Sequence, residues 1–149
     1  MIHVEPHPQF SNIELLEQAA NAVLDQQSVR EDLILSIVLT DDEQLQELNR
    51  DYLGIDAPTD VLSFPASESD PETGARYVGD ILISIPRAAE QAKDGGYELA
   101  GELQLLVVHG VLHLLGYDHA EAEEKARMWA AQSDVLERLG LGHIKVREE

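Results

Sequence analysis

The chain has 149 residues, 44% of them hydrophobic, with 29 acidic and 10 basic side chains, six histidines and no cysteine. This size and apolar content predict one domain over residues 1–149 with a sizeable core, and the lack of cysteine excludes disulfide frameworks and thiolate metal ligands. A net charge of −19 opposes long-range attraction to nucleic acids, because phosphate binding relies mainly on Lys and Arg.

Helix and strand patterns alternate through the first part of the chain. Residues 11–14 match a capping box, and apolar residues at spacings of three and four predict an amphipathic helix to about Gln27. The continuous apolar run Leu33–Thr40 predicts a strand that is covered on both faces. Asp41 or Asp42 is expected to cap a second helix.

The middle of the chain predicts two strands with an acidic connection. A turn leads into a short strand at Val61–Phe64, which Pro65 is expected to stop. The acidic stretch over residues 67–75 predicts an exposed loop. A further strand over Tyr77–Ile85 runs into a helix whose first turn contains Pro86.

The last third of the sequence is helical. Residues Leu99–Leu115 are apolar on nearly every side, which predicts a central buried helix. An amphipathic helix follows from about Glu121 to Leu139, with Gly140 as its terminator. This order of elements predicts an α+β fold: a small mixed β-sheet packed with helices, with the buried central helix carrying two histidines.

A histidine motif is the strongest functional signal in the chain. From His109 to His119 the sequence reads H-G-V-L-H-L-L-G-Y-D-H. Residues four apart on a helix share a face, so His109 and His113 lie side by side, and Gly116 lets the chain turn so that His119 returns. Three neutral imidazoles with an open fourth position are typical of catalytic zinc, so we predict one Zn²⁺ per chain, although nickel, copper and iron suit the same ligands.

The spacing matches the long zinc-protease signature except at its second position. The proteases have a glutamate there as general base, whereas this chain has Gly110, so we do not predict a protease. Asp118, adjacent to a ligand, and Glu102, two turns before His109, are the candidate bases. For Asp118 the alternative is a role in supporting the ligand or capping the turn, and for Glu102 it is a structural ion pair.

Three blocks of sequence together resemble the YbeY family of single-strand-specific metallo-endoribonucleases. They are the histidine motif, P-T-D-V-L-S-F-P from Pro58 to Pro65, and G-D-I-L-I-S from Gly79 to Ser84. The resemblance implies a cytoplasmic bacterial factor that matures the 3′ end of small-subunit rRNA and acts in ribosome quality control. It implies zinc held by the three motif histidines, with single-stranded rRNA and the ribosomal small subunit as partners and no DNA.

One position departs from the family pattern. Members commonly carry an arginine directly after the tyrosine that matches Tyr52, and the resemblance implies that it serves RNA cleavage. This chain has Leu53, which cannot donate a hydrogen bond to phosphate. We hypothesise that Arg50, about one helical turn earlier, substitutes for it; the alternative is an ordinary solvent-exposed arginine.

The sequence therefore predicts metal-assisted hydrolysis, with zinc polarising a water or a phosphoryl oxygen. The resemblance to the YbeY family implies that the substrate is RNA. Two other functions stay open: a zinc hydrolase of a small molecule or peptide, which the acidic charge favours, and a non-catalytic metal-containing ribosome assembly factor, which Leu53 favours. No secretory signal or membrane-length apolar run is present, so we expect a cytoplasmic protein without membrane contact.

Overall fold

The structure is a computed structural model that describes residues 2–29, 32–69, 71–72, 74–117 and 121–144, and for residues 67 and 68 it describes the backbone only. The strands are β1 (Ile2–Val4), β2 (Leu33–Thr40), β3 (Val61–Ser69) and β4 (Arg76–Ser84). The helices are α1 (Ile13–Gln26), α2 (Asp42–Leu53), α3 (Ile85–Gly95), α4 (Leu99–Leu114) and α5 (Ala122–Arg138). The predicted α+β fold is confirmed.

The four strands form one mixed sheet in the order β1-β2-β4-β3. The first three strands in that order run parallel, and β3 pairs antiparallel with β4. Alternate residues of β2 are fully buried on one face of the sheet, whereas those on its other face are half-buried. The prediction that β2 is covered on both faces therefore holds completely for one face only.

Both edges of the sheet differ from the sequence prediction. The short strand β1 was not predicted, and β3 does not stop at Pro65 but continues to Ser69. Pro65 lies opposite Gly79, next to a register shift in the pairing of β3 with β4. Because β3 is an edge strand, the missing N–H of Pro65 interrupts no inner ladder. The predicted loop over residues 67–75 was thus wrong at its start.

Among the described helices, side-chain hydrogen bonds cap the starts of α2 and α3, whereas α1, α4 and α5 begin without one. Asp41 caps α2, where its Oδ1 accepts a hydrogen bond from the backbone N–H of Gln44 at 2.8 Å. Pro86 lies in the first turn of α3, as predicted. The capping box predicted for α1 was wrong, because the N-cap is Asn12 and no side chain caps that helix.

The central helix α4 is surrounded by other elements. It packs against α1, α3 and α5 and against strands β3 and β4, and nearly all its residues are buried. An apolar sequence on every side is what such a position requires. None of the described helices combines the length and the apolar character needed to cross a membrane.

Candidate metal centre

Two imidazoles lie side by side near the C-terminal end of α4. The Nε2 atoms of His109 and His113 are 3.1 Å apart, and their ring centroids are 4.7 Å apart with planes at 76°. Both side chains are only half-buried, unlike most of the helix. The four-residue spacing therefore brings the two Nε2 atoms together, as the sequence predicts for this helix.

A buried glutamine on α5 orients one of these rings. The Nδ1 atom of His109 lies 2.8 Å from Oε1 of Gln132, whose side chain is only 1% exposed. An amide oxygen can only accept, so the His109 Nδ1–H donates to it and Nε2 keeps its lone pair. Metal-binding histidines usually have such a partner on the other ring nitrogen. Gln132 thus selects the tautomer that a metal ligand needs.

An aromatic side chain covers His109 from the side of α5. The ring of Trp129 lies edge-on to His109 with centroids 5.9 Å apart, and Lys125 Nζ lies 5.6 Å from the Trp129 ring centroid. The indole thus packs beside the imidazole in an edge-to-face arrangement. Gln132 and Trp129 therefore fix the ring of His109 by a hydrogen bond and by packing.

The spacing of the two described nitrogens is close to that of two imidazole ligands on one zinc ion. Two nitrogens bound to zinc at roughly 2.0–2.1 Å in tetrahedral geometry are about 3.3–3.4 Å apart, and the observed 3.1 Å between the Nε2 atoms is close to this. Over the part of the chain that the structure describes, no group of three candidate ligand side chains is found. The predicted third ligand, His119, and the candidate base Asp118 lie outside the described residues.

Packing explains the glycine at the position where the proteases carry their base. A Cβ atom on Gly110 would lie 2.9 Å from Cγ2 and 3.0 Å from Cδ1 of Ile81 on β4. The carbonyl of Gly110 also accepts a hydrogen bond from Ser63 Oγ on β3 at 3.5 Å. Since α4 touches the sheet at this residue, an acidic side chain there would have to displace Ile81.

The other predicted catalytic side chains have partners of their own. Glu102 is fully buried and accepts a hydrogen bond from the hydroxyl of Tyr97. Arg50 is half exposed and its Nε donates to Asp51 Oδ1 at 3.1 Å; this hydrogen bond, and then the charge of Asp51, raise the pKa of Arg50. Leu53 is 56% exposed. These contacts leave the catalytic roles of Glu102 and Arg50 as predictions.

Gln132 and Trp129 were missed by sequence reasoning. Gln132 is 23 residues from His109, and only the packing of α5 on α4 brings them together. One signal in the sequence points to Gln132: a glutamine on the inward stripe of an amphipathic helix needs a polar partner in the core.

Known proteins resemble this chain over most of its length. The sequence model of the family described as Endoribonuclease YbeY matches residues 4–140. Endoribonuclease YbeY of Roseiflexus sp. (strain RS-1) is 43% identical over 144 residues, covering 93% of this chain and 90% of the relative. The protein of the same name from Halalkalibacterium halodurans is 48% identical over 115 residues, 72% of each chain.

A known fold also matches. The solution structure of a protein from Thermotoga maritima superposes with a TM-score of 0.62 at 29% identity, covering 93% of this chain and 89% of that one. Sequence and fold agree with the resemblance carried by the histidine motif. The chain belongs to the endoribonuclease YbeY family.

Proposed function

We propose that the protein is a metal-dependent endoribonuclease that cuts single-stranded RNA, with one zinc held by His109, His113 and His119. Its proposed substrate is the 3′ end of small-subunit rRNA, and its proposed place is in cytoplasmic ribosome maturation and quality control. One observation carries the proposal: in a chain of this family, two imidazole Nε2 atoms lie 3.1 Å apart on a buried helix.

The chain's own residues have separable tasks in this reaction. The chemistry that zinc supplies when bound is a positive charge that polarises the phosphodiester and favours attack by water. His109 and His113 provide the nitrogen lone pairs, and Gln132 holds the proton on Nδ1 of His109 so that its Nε2 stays available. Trp129 packs beside His109 and limits its motion.

The group that accepts the proton from water cannot be the residue directly after His109. Gly110 offers no side chain, and Glu102 is fully buried against the Tyr97 hydroxyl. We therefore propose Asp118, adjacent in sequence to His119, as the acceptor. Hydrolysis then forms a bond between the water oxygen and phosphorus and breaks one P–O bond of the backbone, while one water proton passes to this carboxylate and from there to the leaving oxygen.

The test combines metal analysis with RNA cleavage. The full chain is expected to bind about one zinc per chain and to cut a labelled single-stranded RNA faster than the same RNA in a duplex. A chelator should abolish cleavage and added zinc should restore it. His113→Ala and His119→Ala should lose metal and cleavage together, whereas the matched control His143→Ala, an exposed histidine, should keep both.

The same assay separates the two other functions. An assembly factor with structural metal would bind zinc and leave RNA intact. A small-molecule or peptide hydrolase would also leave RNA intact, and its metal-dependent activity would be seen only on small molecules or peptides. Cleavage that persists in chelator, or a His119→Ala protein with full metal and full activity, contradicts the three-histidine proposal.

A further inference from the structure

A cavity lies beside the end of the helix that carries the imidazoles. The α4–α5 cavity has a volume of about 310 Å³ and is lined by Leu115, Gly116, Tyr117, Glu124 and Arg127. This volume is at the lower end of the range for small-molecule sites, enough for one planar heterocycle.

Three of the residues that line the cavity lie in the turn that follows His113 and the end of α4. The N–H of Gly116 donates to the carbonyl of His113, and the N–H of Tyr117 donates to the carbonyl of Leu112, both at 3.0 Å. These are the two hydrogen bonds of a Schellman ending, with Gly116 in the left-handed region at φ +104°. The cavity therefore keeps a fixed position relative to His113.

Arg127 is one of only ten basic residues in the chain. Arg50, Arg87 and Arg138 each pair with a carboxylate. Arg127 is exposed, and within the described part of the chain it makes neither an ion pair nor a hydrogen bond. Its guanidinium is therefore available to a ligand in the α4–α5 cavity.

The other described residues that line the cavity indicate which class of ligand it can bind. Tyr117 is anchored by its hydroxyl, which donates to Gln27 Oε1 at 3.0 Å, and together with Leu115 it offers apolar surface. Glu124 adds a carboxylate to the same cavity. A bare phosphate would be repelled by Glu124, whereas a heterocycle with both donors and acceptors can satisfy Glu124 and Arg127 together.

We propose that the α4–α5 cavity is a subsite for a guanine base of the single-stranded RNA. Guanine presents two acceptors, O6 and N7, to an arginine, and two donors, N1–H and the N2 amino group, to a carboxylate. Unpaired bases of RNA are commonly stacked on aromatic side chains and read at these edges. This inference rests on the proposed function, because the cleaved RNA supplies the base.

Base recognition also suits the charge of the protein. With a net charge of −19, the chain gains little from neutralising many phosphates. Affinity drawn from one stacked and hydrogen-bonded base beside the metal centre avoids that difficulty. The RNA would then be positioned mainly by this subsite and the metal centre.

Nucleoside binding to the zinc-loaded full chain tests the subsite at the level of atoms. Guanosine should bind about 5- to 150-fold tighter than adenosine, cytidine or uridine, the range for a bidentate contact. 7-Deazaguanosine, which lacks N7, and inosine, which lacks the N2 amino group, should each bind more weakly than guanosine. Arg127→Met should remove the penalty for 7-deazaguanosine, and Glu124→Gln should reduce the penalty for inosine.

A second arginine on α5 provides the matched control for Arg127. Arg138→Met, on the same helix but paired with Asp134, should leave all these affinities unchanged. Equal binding of the four nucleosides, tighter binding of inorganic phosphate than of guanosine, or penalties that persist in the variants would overturn the subsite. If RNA cleavage stays metal-dependent in that case, only the subsite fails; guanosine binding without any RNA cleavage would instead overturn the proposed function.

Discussion

The two sides of α4 differ in their contacts within one turn of helix: one packs closely on the sheet, and the other meets polar and aromatic side chains. Gly110 faces the sheet, where Ile81 leaves no room for even a methyl group. His109, the preceding residue, is only half-buried and meets polar and aromatic side chains of α5, where Gln132 and Trp129 hold its ring. The contrast teaches that the helix is anchored by close packing on one side, and that this anchoring fixes the imidazoles on the other.

The largest expected effect comes from adding a side chain at Gly110. Gly110→Glu, which restores the protease sequence, should prevent cooperative folding because it buries a charge against the sheet. Gly110→Ala should lower the free energy of unfolding by about 1–3 kcal/mol, since Ile81 cannot move without disturbing the sheet. Denaturant unfolding followed by circular dichroism measures both.

A double-mutant cycle controls for helix propensity at this contact. Ile81→Ala removes the methyl groups that the new Cβ would meet, so Gly110→Ala should cost less in the Ile81→Ala background. Strictly additive effects would show that the contact between α4 and β4 is not what requires glycine.

The polar side of the helix is tested at Gln132. Gln132→Leu keeps the side-chain volume but removes the acceptor for His109 Nδ1–H, so zinc affinity should fall about 10- to 100-fold. Competition with a chromophoric chelator measures this directly. The matched control is Gln104→Leu, a buried glutamine on α4, which should leave zinc affinity unchanged. An unchanged affinity in Gln132→Leu would show that the hydrogen bond does not prepare the ligand.

The part of this arrangement that sequence could predict lies within single elements. The spacing of His109 and His113 is a property of one helix, so their proximity followed from the motif. Both α4 and β2 were also predictable from the sequence, α4 from its uniform apolar character and β2 from the length of its apolar run.

What the sequence could not predict depends on contacts between elements. The inward position of Gln132 on its helix predicts a polar partner but does not identify His109 as that partner, and nothing local places Ile81 against Gly110. The continuation of β3 past Pro65 depends on its position at the edge of the sheet. The α4–α5 cavity likewise depends on how α5 packs beside the turn that follows α4.

A smaller effect is expected where the buried helix begins. Tyr97→Phe removes the hydroxyl that donates to Glu102 and should lower the free energy of unfolding by about 1–2 kcal/mol. If Glu102 is structural, RNA cleavage per folded molecule and its pH profile should stay unchanged in Tyr97→Phe and in Glu102→Gln. A tenfold or larger loss of cleavage in Glu102→Gln, with zinc still bound, would make Glu102 the base instead of Asp118.

The smallest effect is expected at a polar contact that remains in reach of water. Asp42 accepts hydrogen bonds from Ser84 Oγ at 2.6 Å and from Arg87 Nε at 3.1 Å. Burial raises the pKa of Asp42, but these hydrogen bonds and the charge of Arg87 outweigh it, so the pKa lies below its usual 3.8. The folded state therefore favours the ionised carboxylate.

The sign of the pH dependence follows from that direction. The contribution of Asp42 is complete above the pKa of the unfolded chain and is lost as the pH falls through the lower pKa of the folded protein. Because the Asp42 side chain is 39% exposed, Asp42→Asn should cost only about 0.5–1 kcal/mol at neutral pH, and the difference from the unsubstituted protein should shrink in acid. Urea unfolding at several pH values measures this, with the exposed Glu90→Gln on α3 as control. If the difference in the free energy of unfolding stays constant as the pH falls below the pKa of folded Asp42, then Asp42 acts through packing, as Gly110 does, and not through its charge.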